Sequence, residues 1–237
     1  MSKYTLTIEQ DDYPSSPREC DNLGTMACWH SRYLLGDKTP KESYHDYLCS
    51  IAEEAIEISI KVKFWENQER NSITEERRGH CRKMLRRAIA SGINQHIILP
   101  LYLYDHSGIT MSTGSFVDKW DSGQVGIISV SKEKVRKEFG WKRITRDRLK
   151  KIEDILKGEV ETYDTYLRGD VWRYVICDEN GESVESCCGF YDEDDARQEG
   201  LSTMRYLERE ETSRRNKKLK ELIKKRVPLE LRATILS

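Results

Sequence analysis

The sequence predicts an α+β fold, with a mainly antiparallel sheet, helices packed on one face and an appended helical layer. Three observations carry this. Two apolar runs, 96–104 and 123–130, have the length of buried strands and are parted by a long polar connection. The stretch Asp178-Glu179-Asn180-Gly181 lies between two short strand-like runs, 171–177 and 183–190, which is a hairpin turn signal. Other long segments carry apolar residues three and four positions apart, the spacing of one helix face. Hairpins join strands without crossover helices, so the sheet is expected to be antiparallel.

The elements follow in order. Residues 3–9 alternate and read as a first strand. Residues 11–36 are irregular, with Pro14, Pro17, Gly24, Gly36 and an apolar patch at Cys28, Trp29 and His30. A loop this long is usually functional or covers something. Residues 42–66 carry two patterns. Tyr44, Leu48, Ile51, Ala55, Ile58, Val62 and Trp65 form a helical stripe, yet 56–64 also alternates like a strand. The absence of Gly and Pro from 42–65 favours helix. Ser72 and Glu75 form a capping box for a second helix, with Cys81, Met84, Leu85 and Ala88 as its buried face and Gly92 as its stop.

After the two long strands, Ser131 caps a short helix that ends at Gly140. Thr145 caps a longer one, with Leu149, Ile152, Leu156, Val160, Tyr163 and Leu167 on one side and Gly169 as its end. A last helix runs from about Asp194 towards Arg226, and Pro228 discourages continuation. The expected organisation is a single domain over 1–237. Residues 41–92 are a helical insertion, 96–190 hold the core, and 192–237 form a charged C-terminal helix.

A chain of 237 residues can bury a core without disulfides. Mean hydropathy is -0.74. The charged share of 34% exceeds the usual quarter, while twelve Tyr and five Trp argue against disorder. A net charge of -1 excludes a binder that is basic throughout. The charge is patterned, however. Residues 132–151 hold ten basic and three acidic residues, and 214–232 hold nine and two, so each segment carries +7. Asp192, Glu193, Asp194, Asp195 and Glu199 form an acidic knot. Seven cysteines without framework spacing, and no apolar leader in the first twelve residues, predict free thiols in a reducing cytoplasm. The longest apolar run, 97–104, is too short to span a bilayer, so no membrane partner is expected.

Several residue sets carry possible chemistry. Asp105 and His106 follow a strand, and Asp121 lies across the connection. An imidazole beside carboxylates can do general acid–base work, so these three are the candidate catalytic residues of a small hydrolase. The plainer reading is a hairpin loop whose Asp and Ser bond the backbone. Cys28 and His30 could supply two ligands and Cys187 and Cys188 two more, since thiolate and imidazole suit zinc. Neither pair has ligand spacing, so no metal and no cofactor is expected. The glycines of 120–126 open a strand and not a helix, which predicts a turn or bulge and no phosphate cradle.

Residues 131–156 outline a basic helix, a Gly turn and a second basic helix, the sketch of a helix-turn-helix. Lys132, Lys134, Arg136, Lys142, Arg143 and Arg146 are the candidate contacts to an anionic partner. Arg214, Arg215, Lys217 and Lys218 in the C-terminal helix are placed to do the same. The plainer reading of both sets is a solvated helix surface, which at the C-terminal end also suits the macrodipole.

Five strings also carry a resemblance: DNLGTMACWH at 21–30, LPLYLYDHSGITM at 99–111, WDSGQVG at 120–126, EVETY at 159–163 and SCCGFY at 186–191. Together they resemble a group of small accessory proteins encoded by bacteriophages and prophages. The resemblance covers most of 17–38 and 96–191, and nothing carries over to 41–92 or the tail beyond Asp192. It brings no catalytic residue or ligand. It implies a setting, the cytoplasm of an infected bacterial host cell. By analogy with other accessory proteins in that setting, the expected role is a non-enzymatic binder that blocks or redirects a host machine, as anti-CRISPR and anti-restriction proteins do. The partner would be a host protein or ribonucleoprotein complex, or nucleic acid. The alternatives are a nucleic-acid-binding protein using 132–151, and the small hydrolase.

Overall fold

A computed structural model describes residues 3–226. The strands are β1 (Thr5–Gln10), β2 (Thr25–Cys28), β3 (His96–Asp105), β4 (Ile109–Ser112), β5 (Ser122–Ser131), β6 (Trp172–Cys177) and β7 (Ser183–Phe190). The helices are α1 (Tyr44–Ala52), α2 (Ile56–Arg70), α3 (Glu75–Ile93), α4 (Lys132–Phe139), α5 (Arg146–Leu167) and α6 (Glu193–Arg226). The fold is α+β, and all strand pairings within its sheets are antiparallel. The strands fall in two sheets, and the chain divides into two compact units. The 96–190 region read as one core therefore contributes to both.

Ser16–Arg168 forms the larger unit around a sheet of order β2-β5-β3-β4. Residues 126–130 of β5 are buried on both faces, which is why this run is apolar but for Ser129. Ile128 and Val130 face Val135 of α4 and Ile152, Leu156 and Val160 of α5. Ile127 and Ala27 face the other way, towards Ile51 of α1 with Trp29, Tyr47 and Leu48. Helices thus lie on both faces of this sheet. Pairing skips Val125 between Leu101↔Gly126 and Tyr102↔Gln124, so the glycine-rich stretch does hold a bulge. A Cβ at Gly126 would sit 2.3 Å from the Ala27 carbonyl oxygen, so only glycine lets β2 approach here.

The segment 56–64 is helical. Its strand-like alternation arises from two helical stripes: Ile58 and Val62 pack with Ala88 of α3, while Ile56, Ile60 and Phe64 lie outside. Two details of this helical layer correct the sequence reading. The cap of α3 is Thr74, whose Oγ1 accepts the Arg77 N–H at 3.4 Å. Ser72 is buried, and its hydroxyl donates to the Gln68 carbonyl at 2.6 Å, so it closes α2 and does not open α3. Gly92 lies inside α3, where its missing Cβ admits the backbone of Ala52. A Cβ would stand 2.3 Å from the Ala52 carbonyl oxygen. Ser131, Thr145 and Gly140 act as expected, the last at φ 65°.

Met1–Ser15 and Gly169–Ser237 form the second unit. Its sheet has the order β1-β6-β7. α6 packs on it through Ala196 and Gly200, where a Cβ on Gly200 would lie 2.6 Å from Leu6 Cδ1. Tyr174 Oη and Thr203 Oγ1 meet at 3.2 Å. Gly181 closes the β6–β7 hairpin at φ 81°. Pro228 and the basic residues past Arg226 lie outside the described residues. Among those described, no helix is long and apolar enough to cross a membrane.

Candidate functional site

The hydrolase candidates sit at the β3–β4 hairpin and the end of the connection leading to β5. Ser107 at φ 59° makes the turn. His106 Nδ1 meets Asp121 Oδ2 at 2.9 Å, so the structure brings these two together. Asp105 faces elsewhere: its carboxylate pairs with Arg32 Nη1 at 3.1 Å and accepts the Tyr33 hydroxyl at 3.2 Å. The His106 and Asp121 side chains are 62% and 40% exposed. Asp121 orients the ring, but the pair lies on open surface without the water-excluding cavity that would strengthen acid–base work. On the same connection Val117 and Trp120 are almost fully exposed, and the rings of Tyr104 and Phe116 lie 5.7 Å apart.

The basic candidates divide by what they touch. Lys132 Nζ donates to the Asn94 carbonyl at 2.6 Å, and Lys134 Nζ to the carbonyls of Asn22 and Leu23 at 3.0 and 2.8 Å. These two lysines brace neighbouring loops. Arg136 lines a groove of about 540 Å³ with Glu133, His96 and Ile56. Lys142, Arg143 and Arg146 are exposed on the α4–α5 connection and the first turn of α5. No ion pair among the described residues involves them.

The connection that carries them is held from below. Phe139 and Trp141 stack at 4.7 Å, the Arg148 guanidinium lies 4.8 Å over the Trp141 ring, and Arg148 Nη1 donates to the Arg143 carbonyl at 2.8 Å. The apolar side of α5 is buried through Ile152, Leu156, Val160 and Tyr163, as its spacing predicts. Its opposite side is exposed along the helix, at Lys150, Lys151, Asp154, Lys157 and Glu161, where basic and acidic residues alternate after the first turns. A connection over 140–145 is also longer than that of a compact helix-turn-helix.

The C-terminal candidates are less uniform. Arg214 pairs with Glu210 at 3.7 Å, and Lys217 lines a surface of α6 that also holds Glu208 and Glu221. Arg215 and Lys218 are exposed on the same helix. Mixed signs along one helix mark a solvated face better than an anion site.

Two features were missed from the sequence. The first is a basic row on α3, Lys83, Arg86 and Arg87, exposed beside Gly79 and Ala90. Its signal is present in the sequence, since residues 77–87 hold six basic residues and no acid. The second is Arg18, whose side chain is 4% exposed between Asp37 and Glu159. No periodicity or motif distinguishes a single Arg in a loop. Among the described residues no group of three or more His, Cys, Asp or Glu could hold a metal ion. No protein family, curated protein or solved structure matches the chain.

Proposed function

We propose that this protein is a non-enzymatic binder whose α4–α5 connection docks on an anionic surface of a larger assembly. One observation carries this reading: Lys142, Arg143 and Arg146 are exposed and in no ion pair, on and next to a connection pinned by Phe139, Trp141 and Arg148. Unpaired cations on a held backbone meet an anion without first breaking internal pairs or ordering a loop. The phage-like strings supply the setting, an infected bacterial cytoplasm, and the class of target, a host defence or nucleic-acid machine. Nucleic acid itself is the second reading, favoured by the basic row on α3. The hydrolase reading rests on the His106–Asp121 hydrogen bond, and the open position of that pair weighs against it.

A gel shift with a short RNA duplex, a DNA duplex and an acidic polypeptide tests the proposal. Wild-type protein should shift at least one of these at low salt, and the triple variant K142E/R143E/R146E should not. Equal behaviour of the two proteins would overturn the assignment of this face.

A further inference from the structure

The second unit presents a surface of opposite chemistry. Strand β7 is an edge: its partner in the sheet is β6, and no other described strand pairs with it. Residues 183–189 are all exposed, so α6, which packs on the sheet, leaves this strand largely open. The Ser186 N–H donates to the carboxylate of its own neighbour Glu185 at 3.3 Å. An open edge of this length is a template for another strand, and proteins normally cover or blunt it.

Charge selects what can pair there. Residues 178–196 hold eight acids and no Lys or Arg. Glu182 and Glu185 lie at the start of the strand and on it, and Asp194 and Asp195 open the helix that follows. A second copy brought edge to edge would set eight acids against eight, and like charges facing across strands are destabilising. An extended basic segment gains main-chain hydrogen bonds from the edge and Coulomb attraction from its flanks. We propose that β7 is a docking strand for an extended, Lys- or Arg-rich peptide segment of a partner protein, which adds to the sheet as a fourth strand. This strand belongs to the second unit and the α4–α5 connection to the first, and the proposal stands whether or not that connection binds anions.

Anisotropy of a labelled decapeptide of alternating Lys and Thr, titrated with the full chain, tests this. Binding should weaken at least about tenfold when alternate peptide residues are N-methylated, which removes strand hydrogen bonds but keeps the charge. It should weaken similarly with E182K/E185K, and a Glu–Thr decapeptide should not bind. Ser186→Pro should also abolish binding, since it removes an amide whose acceptor is a side chain. Should that variant not fold, the N-methylated peptide and E182K/E185K decide alone. Equal binding of the N-methylated and parent peptides would reduce the site to non-specific charge attraction and overturn the proposal. So would the absence of binding, or dimerisation of the protein through β7.

Discussion

The Arg18 guanidinium and the Asp37 carboxylate form a two-pronged ion pair, Nε to Oδ1 at 2.9 Å and Nη2 to Oδ2 at 2.6 Å. Glu159 of α5 takes Arg18 Nη1 at 2.9 Å, and the Gly24 carbonyl takes Nη2 at 2.8 Å. The carboxylates are used again: Asp37 accepts the Met26 N–H, and Glu159 accepts those of Leu23 and Gly24. Burial alone would lower the Arg18 pKa, but these hydrogen bonds and charges raise it above its ordinary value. The irregular segment before and after β2 is thereby fastened to α5, and the long loop read from the sequence is a structural clasp.

Removing the centre of this clasp leaves two partly buried carboxylates without their cation. Arg18→Ala should destabilise the fold by about 3–5 kcal/mol, as breaking a buried pair from one side does. Arg18→Lys should recover only part of this, because an ammonium cannot serve two carboxylates and a carbonyl in a planar fork. Urea unfolding of the two variants measures both.

Two glycines on α3 should respond in opposite directions. Gly92→Ala forces a Cβ against the Ala52 backbone and should cost about 1–3 kcal/mol. Gly79→Ala meets nothing within 4 Å and should stabilise by up to about 1 kcal/mol, the helix-propensity difference. Thermal melts of the two single variants check the signs.

Cysteine chemistry should follow burial. Burial, with Asp37 adding to it, pushes the Cys28 thiol up to about 12. Its thiolate is then present at about one part in ten thousand at pH 8, so iodoacetamide should leave it intact in the native protein. Cys20, Cys187 and Cys188 are exposed and should be labelled. Peptide mapping after brief alkylation shows which sulfurs react, and modification of Cys28 at the rate of Cys187 would contradict the structure.

The β6–β7 hairpin should loosen in acid. The backbone amides of Asn180 and Glu182 donate to the Asp178 carboxylate and hold its pKa below the usual range. A carboxyl depressed in the folded state contributes its stabilisation above the unfolded pKa and loses it as pH falls through the folded pKa. An NMR titration should place the Asp178 midpoint below that of an unstructured Asp. The Asn180 amide shift should follow the same curve.

Much of this fold was legible in residue spacing. The α5 stripe, the caps at Ser131 and Thr145, and the hairpin at 178–181 all follow from local chemistry, and local chemistry is what a sequence displays. The division of strands into two sheets was not legible, because β1 pairs with β6 across more than 160 positions and nothing local names that partner. Ser72 and Thr74 both suit a cap, and the packing of Ser72 beside Cys81 decided between them. For the candidate site, the basic residues could be named in advance. Which of them are spent on carbonyls, as Lys132 and Lys134 are, depends on loops distant in sequence.

The proposed docking role requires the α4–α5 connection to steer an anionic partner. Association kinetics of wild type and K142E/R143E/R146E with the anion that shifts in the gel, measured across a salt series, test it most directly. Exposed charges contribute little to folding, so the two proteins should melt at nearly the same temperature. The variant should show a slower on-rate at low salt, and the gap should close as the screening length falls to about 8 Å at physiological ionic strength and below. Identical on-rates with identical salt slopes would contradict it.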